Sequence, residues 1–108
     1  MYSINGSQIT LTRGDSFLCN ITITNNGSPY TPAQDDVIRF ALKKSYYDAE
    51  CLIEKTLDNS TLNLYLGPDD TKDLDFNAQY VYDIELTNGD GDVFTFISGV
   101  LLLTPEVE

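Results

Sequence analysis

Carboxylates are the side chains through which this sequence could do chemistry, because it has 17 Asp and Glu residues and no histidine. Histidine is the commonest general base and the commonest metal ligand in proteins. Without it, a serine or cysteine nucleophile activated by histidine is excluded. We therefore predict that the protein is not an enzyme and has no catalytic residues. A hydrolase that works through carboxylates alone is the weaker alternative.

The turn at 88–92 has the spacing most similar to a metal loop, with Asn88, Asp90 and Asp92 at alternate positions. Calcium loops of the EF-hand type begin in this way, but they require glycine at the sixth position and glutamate at the twelfth. Those positions are Val93 and Gly99 here. Asn-Gly and Asp-Gly pairs supply the positive φ angles that a tight hairpin needs. We predict a hairpin turn, with no metal ligand and no cofactor.

A second acidic cluster follows a Gly-Pro pair and comprises Asp69, Asp70, Asp73 and Asp75. Acidic side chains favour the start of a helix because they complement its dipole. The cluster therefore predicts one short helical turn within 67–74, with Asp69 or Asp70 as its N-cap.

The candidate interface residues combine both charges with tyrosine. The chain's one basic cluster is Arg39, Lys43 and Lys44, and two tyrosines follow it in a predicted loop. Exposed tyrosine beside lysine is typical of a protein contact, and equally of a loop that packs its rings on a sheet edge. On another predicted strand two carboxylates alternate outward, as a solvated stripe or half of an interface. The predicted protein interface is Arg39, Lys43, Lys44, Tyr46, Tyr47, Asp83 and Glu85.

The net charge of −11 is unevenly distributed along the chain. Residues 55–108 carry two basic and eleven acidic side chains and hold −9 of that charge. Such a surface repels phosphate backbones, so we predict no nucleic-acid partner. Solubility explains the charge, and an acidic face that docks on a basic partner is the alternative.

The sequence contains no recognisable export or membrane segment. Residues 1–6 have neither the basic region nor the apolar run of a signal peptide, and the longest apolar run is 100–103. We predict a protein that is made in the cytosol, is not secreted by a signal peptide and has no membrane partner. Cys19 and Cys51 are then predicted to be buried free thiols, because cytosolic disulfides are rare.

Short strands with turn signals between them dominate the pattern, and no linker or repeat divides residues 1–108. The pattern predicts one all-β domain, an immunoglobulin-like antiparallel β-sandwich of about seven strands, with one short helical turn between strands five and six. A small barrel is the alternative. In strand six Tyr80, Tyr82, Ile84 and Leu86 are predicted to point inward, with Tyr80 as a tyrosine corner. The predicted strands are 8–12, 16–24, 36–43, 50–57, 61–66, 79–87 and 93–103.

Five segments in chain order carry a resemblance: 9–15, 36–43, 64–71, 80–86 and 95–99. Together they resemble small β-sandwich proteins of tailed phages and prophages of Gram-positive bacteria, and in particular the N-terminal domain of phage baseplate upper proteins. The resemblance implies a virion component of the tail or baseplate, synthesised in the bacterial cytoplasm. Its implied partners are other phage structural proteins, with a homo-oligomer as an alternative.

A carbohydrate-binding or adhesion-type β-sandwich module is the alternative function. Such a module needs exposed aromatic rings in a row, and the candidates are Tyr46, Tyr47 and Tyr65. The strand over 93–103 also contains Gly99 in its middle, which predicts a bulge or a bend there.

Overall fold

A computed structural model describes residues 2–5, 7–25, 27–75 and 77–105 of the chain. Residues 1 and 6, on which part of the signal-peptide prediction depends, lie outside these ranges. The elements within the described ranges are β1 (Tyr2–Asn5), β2 (Gln8–Thr12), β3 (Phe17–Asn20), β4 (Thr24–Asn25), β5 (Ser28–Pro29), β6 (Val37–Lys43), β7 (Ile53–Leu57), β8 (Asn63–Leu66), α1 (Pro68–Thr71), β9 (Ala78–Thr87) and β10 (Val93–Thr104).

The main sheet has six strands in the order β1-β2-β10-β9-β6-β7, and a small second sheet pairs β3 with β8. A two-residue ribbon, β4 with β5, completes the described strands. The main sheet is curled and mixed. The prediction of an antiparallel fold is wrong at one pair, because β10 runs parallel to β2 with Leu101 opposite Ile9. The chain returns to β2 only after passing through both sheets, and such a long connection permits parallel pairing.

The all-β prediction is confirmed, and so is a single helical turn between the fifth and sixth predicted strands. The strand number differs from seven, because eight described strands form the two sheets and the ribbon adds two. β1 was not predicted. The predicted strand 16–24 leaves the second sheet after Asn20, where its partner chain changes direction at Leu62 with φ +54°. Ile21 and Ile23 still lie in the core.

One apolar core lies between the two sheets. Alternation predicts it well in the central strands, where Ile38, Phe40 and Leu42 of β6 are fully buried. All four predicted inward residues of β9, from Tyr80 to Leu86, are also buried. The rings of Phe40 and Tyr82 pack across adjacent strands at a centroid distance of 5.6 Å.

The short helix α1 is capped differently from the prediction. Gly67, and not Asp69 or Asp70, is the N-cap, and Pro68 takes the first helical position, where its missing N–H costs nothing. The Asp70 carboxylate accepts a hydrogen bond from the Gly67 N–H at 2.7 Å. The buried Thr71 hydroxyl accepts another from the Gly14 N–H at 2.9 Å, which ties α1 to the turn after β2.

Gly99 does not mark the bulge of β10. The register against β9 shifts between Thr95 and Ile97, so the bulge lies at Phe96. Gly99 is needed because the Ser7 carbonyl oxygen lies where a Cβ would be. That same oxygen accepts a hydrogen bond from the Tyr82 hydroxyl at 2.6 Å.

Three further observations complete the fold. The Tyr80 hydroxyl accepts from the Asp75 N–H at 2.9 Å and lies 3.2 Å from the Asp75 carbonyl, as predicted for a tyrosine corner. Among the described residues, no helix is long and apolar enough to cross a membrane. Cys19 and Cys51 are free thiols, but each is half-buried and not fully buried.

Candidate functional site

The outward side of the two central strands gathers four of the seven predicted interface residues. We call this surface the outer face and define it by Arg39 and Lys43 of β6 with Asp83 and Glu85 of β9. Because β6 pairs with β9, Arg39 lies opposite Glu85, and Lys43 lies two residues beyond the partner of Asp83. The buried residues that alternate with them pack these strands against the core, so the four side chains are held on the outward side of the sheet.

Ion pairs within the chain occupy the outer face. Arg39 Nη2 lies 2.9 Å from Glu85 Oε1, and Arg39 Nη1 lies 3.6 Å from Glu54 Oε2 on β7. A carboxylate of any partner would therefore have to compete with Glu85 and Glu54 for Arg39. Lys43 and Lys44 are not committed to a described ion pair, and Lys44 is exposed.

Asp83 is the electrostatically unusual carboxylate of the outer face. Partial burial raises its pKa, and the neighbouring Glu85 charge raises it further. Lys43 and Arg39 act in the opposite direction and offset part of this effect. The ionised form of Asp83 is thus less favourable in the folded protein than in water, although the Asp83 carboxylate lies near two cations.

The two predicted tyrosines lie in the loop between β6 and β7. Tyr46 borders a shallow pocket of about 120 Å³ on the outer face, together with Ala41, Lys43 and Asp83. Tyr47 lies further along the loop and is 98% exposed. Five of the predicted interface residues therefore surround one surface, and the other two, Lys44 and Tyr47, are exposed residues that follow β6 in the sequence.

The three tyrosines proposed for a carbohydrate row do not share one face. Tyr65 lies on β8 of the second sheet, on the side away from the core, because Leu64 and Leu66 point inward. Its ring lies against Gly67, where an added Cβ would come within 3.3 Å of it. Tyr46 borders the outer face of the main sheet, on the opposite side of the molecule.

The turn 88–92 uses its polar groups to build itself. Asn88 Oδ1 accepts hydrogen bonds from the backbone N–H groups of Asp90 and Asp92, both at 3.0 Å. Gly91 adopts φ +87°, which glycine tolerates without strain. Within the described ranges no group of three or more His, Cys, Asp or Glu side chains is placed to hold a metal ion.

The two acidic residues within α1 both form ion pairs with lysine. Asp70 accepts from the Gly67 N–H and also lies 3.1 Å from Lys55 Nζ. Asp69 lies 3.3 Å from Lys72 Nζ, one helical turn away. The Lys55 pair joins α1 to β7, whereas the pair of Asp69 with Lys72 is exposed and contributes little to stability.

A cavity of about 500 Å³ opens between the two sheets beside Cys19 and Tyr82. Burial raises the pKa of the Cys19 thiol, so the thiol stays protonated near neutral pH and is a poor nucleophile. Desolvation raises the pKa of Tyr82 as well. The cavity therefore contains polar groups that hold their protons.

Sequence reasoning missed one surface, an apolar groove at the end of the molecule that holds the β9–β10 turn. Its lining includes Ile23, Tyr30, Leu86, Phe94 and Phe96. Alternation predicted Phe94 only as part of a strand. Phe94 is exposed because the second sheet does not extend over this end of the main sheet. The strand pattern in the sequence does not show where the second sheet ends.

No protein-family model, no curated protein and no solved structure matches this chain.

Proposed function

We propose that this protein is a non-enzymatic structural module of a phage or prophage tail or baseplate, and that it binds other virion subunits through the outer face. The phage setting is supported by the resemblance of five sequence segments in chain order. The protein-binding role is supported by one observation, the assembly of Arg39, Lys43, Asp83, Glu85 and Tyr46 on a single face of the main sheet.

The composition of this surface favours a protein partner. Arginine and tyrosine are enriched at protein interfaces, and both lie here on or beside central strands. Charges of both signs alternate across the surface, so a partner must match a pattern and cannot bind by net charge alone. The projecting Tyr47 provides an aromatic group that is already solvent-exposed and can be buried on binding.

We further propose that the fold is an immunoglobulin-like sandwich. Strand order β2-β10-β9-β6-β7 against β3-β8, with β2 parallel to β10, supports this assignment. Tyr80 occupies the tyrosine-corner position at the start of β9. Under this assignment, Cys19 on β3, Tyr82 on β9 and Phe40 on β6 would correspond to the two cysteines and the tryptophan of such domains. A β-sandwich that lacks this disulfide is stabilised by the packing of its core, and here the rings of Phe40 and Tyr82 pack against each other.

Virion composition tests the proposed function. Particles would be produced from the encoding phage or prophage, purified on a density gradient and analysed by mass spectrometry. We expect peptides of this protein in intact tails at a stoichiometry matching a tail or baseplate component. Absence from purified particles, with other tail proteins detected, would contradict the proposal.

One double variant tests the surface itself. It combines Arg39→Glu, which reverses a charge, with Tyr47→Ala, which removes the most exposed ring of the predicted interface, and neither position is buried. We expect normal folding and a loss of incorporation into particles. Tyr65→Ala on the opposite side is the matched control and is expected to incorporate normally. Equal incorporation of all variants would show that the outer face is not the contact.

Carbohydrate binding is the second candidate function, and only the exposure of Tyr46 and Tyr47 favours it. A glycan array would distinguish the two, because a structural module is expected to give no hits. Binding that is lost in Tyr47→Ala would favour the carbohydrate-binding role.

A further inference from the structure

The end groove is an uncovered part of the sandwich interior. Phe94 pairs with Leu86 in the main sheet, on the side that elsewhere packs against the second sheet. The second sheet extends only to the pair Asn20 and Asn63, so it does not cover this end. Leu86 is nevertheless buried, whereas Phe94 remains 56% exposed. The space between them and the ribbon measures about 200 Å³.

One wall of the end groove is built around Tyr30. Its backbone N–H donates to the Ile23 carbonyl at 2.8 Å, which holds it beside the ribbon. Its hydroxyl donates to Asp36 Oδ2 at 2.6 Å, and this bond raises the pKa of Tyr30. The Asn59 side chain donates to the carbonyls of Ala33 and Asp36, at 3.0 and 2.6 Å. The ring is therefore oriented before any partner arrives, which lowers the entropic cost of binding.

The opposite wall is the start of β10, held by the β9–β10 turn. The Asn88 N–H donates to the Asp92 carbonyl at 3.0 Å, and the Asn88 carbonyl accepts from the Gly91 N–H at 3.0 Å. Together with the side-chain bonds of Asn88, these contacts fix where β10 begins, one residue before Phe94. Phe96 lies at the bulge, which turns an extra ring toward the groove.

The rim of the end groove is acidic. Asp90 and Asp92 lie in the exposed turn, and Asp35 lies against Gly89, where an added Cβ would be 3.1 Å from the Asp35 Cβ. No lysine or arginine occurs between Arg13 and Arg39 or after Lys72 in the sequence. The segments that form the rim therefore contribute only negative charge. The floor of the end groove inside this rim is apolar.

We propose that the end groove docks an extended segment of a partner protein in which an aliphatic or aromatic side chain is flanked by lysine or arginine. The apolar side chain fills the space between Tyr30 and Phe94, and the basic flanks meet the acidic rim. Charge complementarity selects this occupant, because an acidic segment would be repelled by at least three carboxylates. The apolar floor supplies the affinity that exposed ion pairs alone lack.

This inference does not depend on a virion role. The end groove lies on the inner side of the main sheet, whereas the outer face lies on its other side. Variants of one surface therefore leave the other unchanged, and the two proposals can fail separately.

A library of random twelve-residue peptides provides the probe. Purified protein would select binders from the displayed library, with counter-selection against Phe94→Ala. We expect enriched peptides with a net positive charge and an aliphatic or aromatic residue between the basic ones. Binding of a synthetic enriched peptide, followed by fluorescence anisotropy, should weaken severalfold between 50 and 500 mM salt. Backbone amide signals of Tyr30, Phe94 and Phe96 should shift in NMR spectra as the peptide is added.

Matched variants separate the apolar and the charged contributions. We expect Phe94→Ala to weaken peptide binding about tenfold, and Asp90→Lys to weaken it a few-fold, since exposed pairs contribute little each. Tyr65→Ala removes a similarly exposed ring from the second sheet, and Asp69→Lys reverses an exposed charge on α1. Both controls are expected to bind as the parent does. Circular dichroism and melting temperature confirm that each variant is folded.

Four outcomes would overturn the proposal. They are enrichment of acidic or neutral peptides, no enrichment at all, equal binding by Phe94→Ala, and NMR shifts that map to another surface. Sedimentation provides a further check without any peptide. If the protein alone self-associates and Phe94→Ala abolishes this, a second copy occupies the groove and the proposed partner chemistry is wrong.

Discussion

The Tyr80 hydroxyl connects strand β9 to the backbone of the segment that precedes it. Its ring is buried in β9, while its oxygen reaches back to the Asp75 backbone just before that strand. This contact ties the end of the segment 67–75, which contains α1, to β9. The sequence suggested this role from the place of Tyr80 in strand six, and the distances support it.

Tyr80→Phe is expected to destabilise the protein by about 1–2 kcal/mol, because the Asp75 N–H loses its partner while the ring still packs. Chemical denaturation measures the difference. Tyr65→Phe, where the ring is half exposed, is the control and is expected to change stability by less than about 0.5 kcal/mol. An unchanged midpoint for Tyr80→Phe would mean that water replaces the lost hydroxyl.

Asp83→Asn is expected to raise stability at pH 7 by less than about 1 kcal/mol, because Asp83 is partly exposed and solvent screens its neighbours. The folded-state pKa of Asp83 is raised, so the native protein binds a proton more readily than the unfolded chain. Its contribution therefore becomes more favourable as the pH falls through that raised pKa. The advantage of Asp83→Asn should shrink toward zero below the ordinary pKa of 3.8. Melting temperatures between pH 3 and 7 test this, and an advantage that grows in acid would contradict it.

Strand β10 connects most of the main sheet, because it pairs with β2 on one side and β9 on the other. At Gly99 the strand also lies directly against the Ser7 carbonyl, and the oxygen of that carbonyl accepts a hydrogen bond from the Tyr82 hydroxyl. The sequence identified Gly99 as special but assigned it the wrong reason. A glycine in a strand can mark a bulge or a close backbone approach, and only the neighbouring chain decides between them.

Gly99→Ala is expected to destabilise the fold by about 1–3 kcal/mol, because the added methyl group overlaps backbone atoms that cannot rotate away. The exposed neighbour provides the control, since Ser98→Ala should change stability little. Hydrogen exchange would locate the damage, with faster exchange expected in β1 and β2. Unchanged exchange there would indicate that Ser7 moves aside at no cost.

Helix α1 is too short to be stable by itself. The hydrogen bond between Thr71 and the turn after β2 stabilises it through tertiary structure. Thr71→Val is expected to cost about 1–3 kcal/mol, because the methyl group matches the volume but leaves the Gly14 N–H without its acceptor. Thr71→Ser keeps the hydroxyl and should retain more of the stability than Thr71→Val. Equal effects of the two substitutions would assign the loss to packing instead of the hydrogen bond.

At the scale of the whole molecule, the net charge of −11 opposes the compact state. We expect the melting temperature to rise between 20 and 500 mM sodium chloride, since salt screens the excess repulsion more than it weakens the few exposed ion pairs. A variant with Asp69, Asp90 and Asp92 changed to asparagine should show a smaller rise. A melting temperature that falls with salt would mean that the ion pairs, and not the net charge, dominate.

The mixed-charge outer face depends on the same long-range arrangement. Alternation along β6 and β9 predicted that Arg39, Lys43, Asp83 and Glu85 point outward, and they do. It did not predict that the two strands are neighbours, so it gave no physical reason why the basic cluster and the acidic stripe should meet. The antiparallel register β6–β9 places Arg39 beside Glu85 and turns them into one surface.

The sequence by itself determined what is local: the all-β class, the inward residues of the central strands, the β9–β10 turn and the helical turn at 68–71. These follow from side-chain alternation and turn chemistry, which act over a few residues. Only the tertiary structure decided the parallel pairing of β2 with β10, the approach of Ser7 to Gly99 and the exposure of Phe94. Each of these depends on which distant segment lies alongside, and on where the smaller sheet stops covering the larger one. The carboxylates Asp70 and Glu85 form ion pairs with Lys55 and Arg39, which are distant in the sequence, for the same reason.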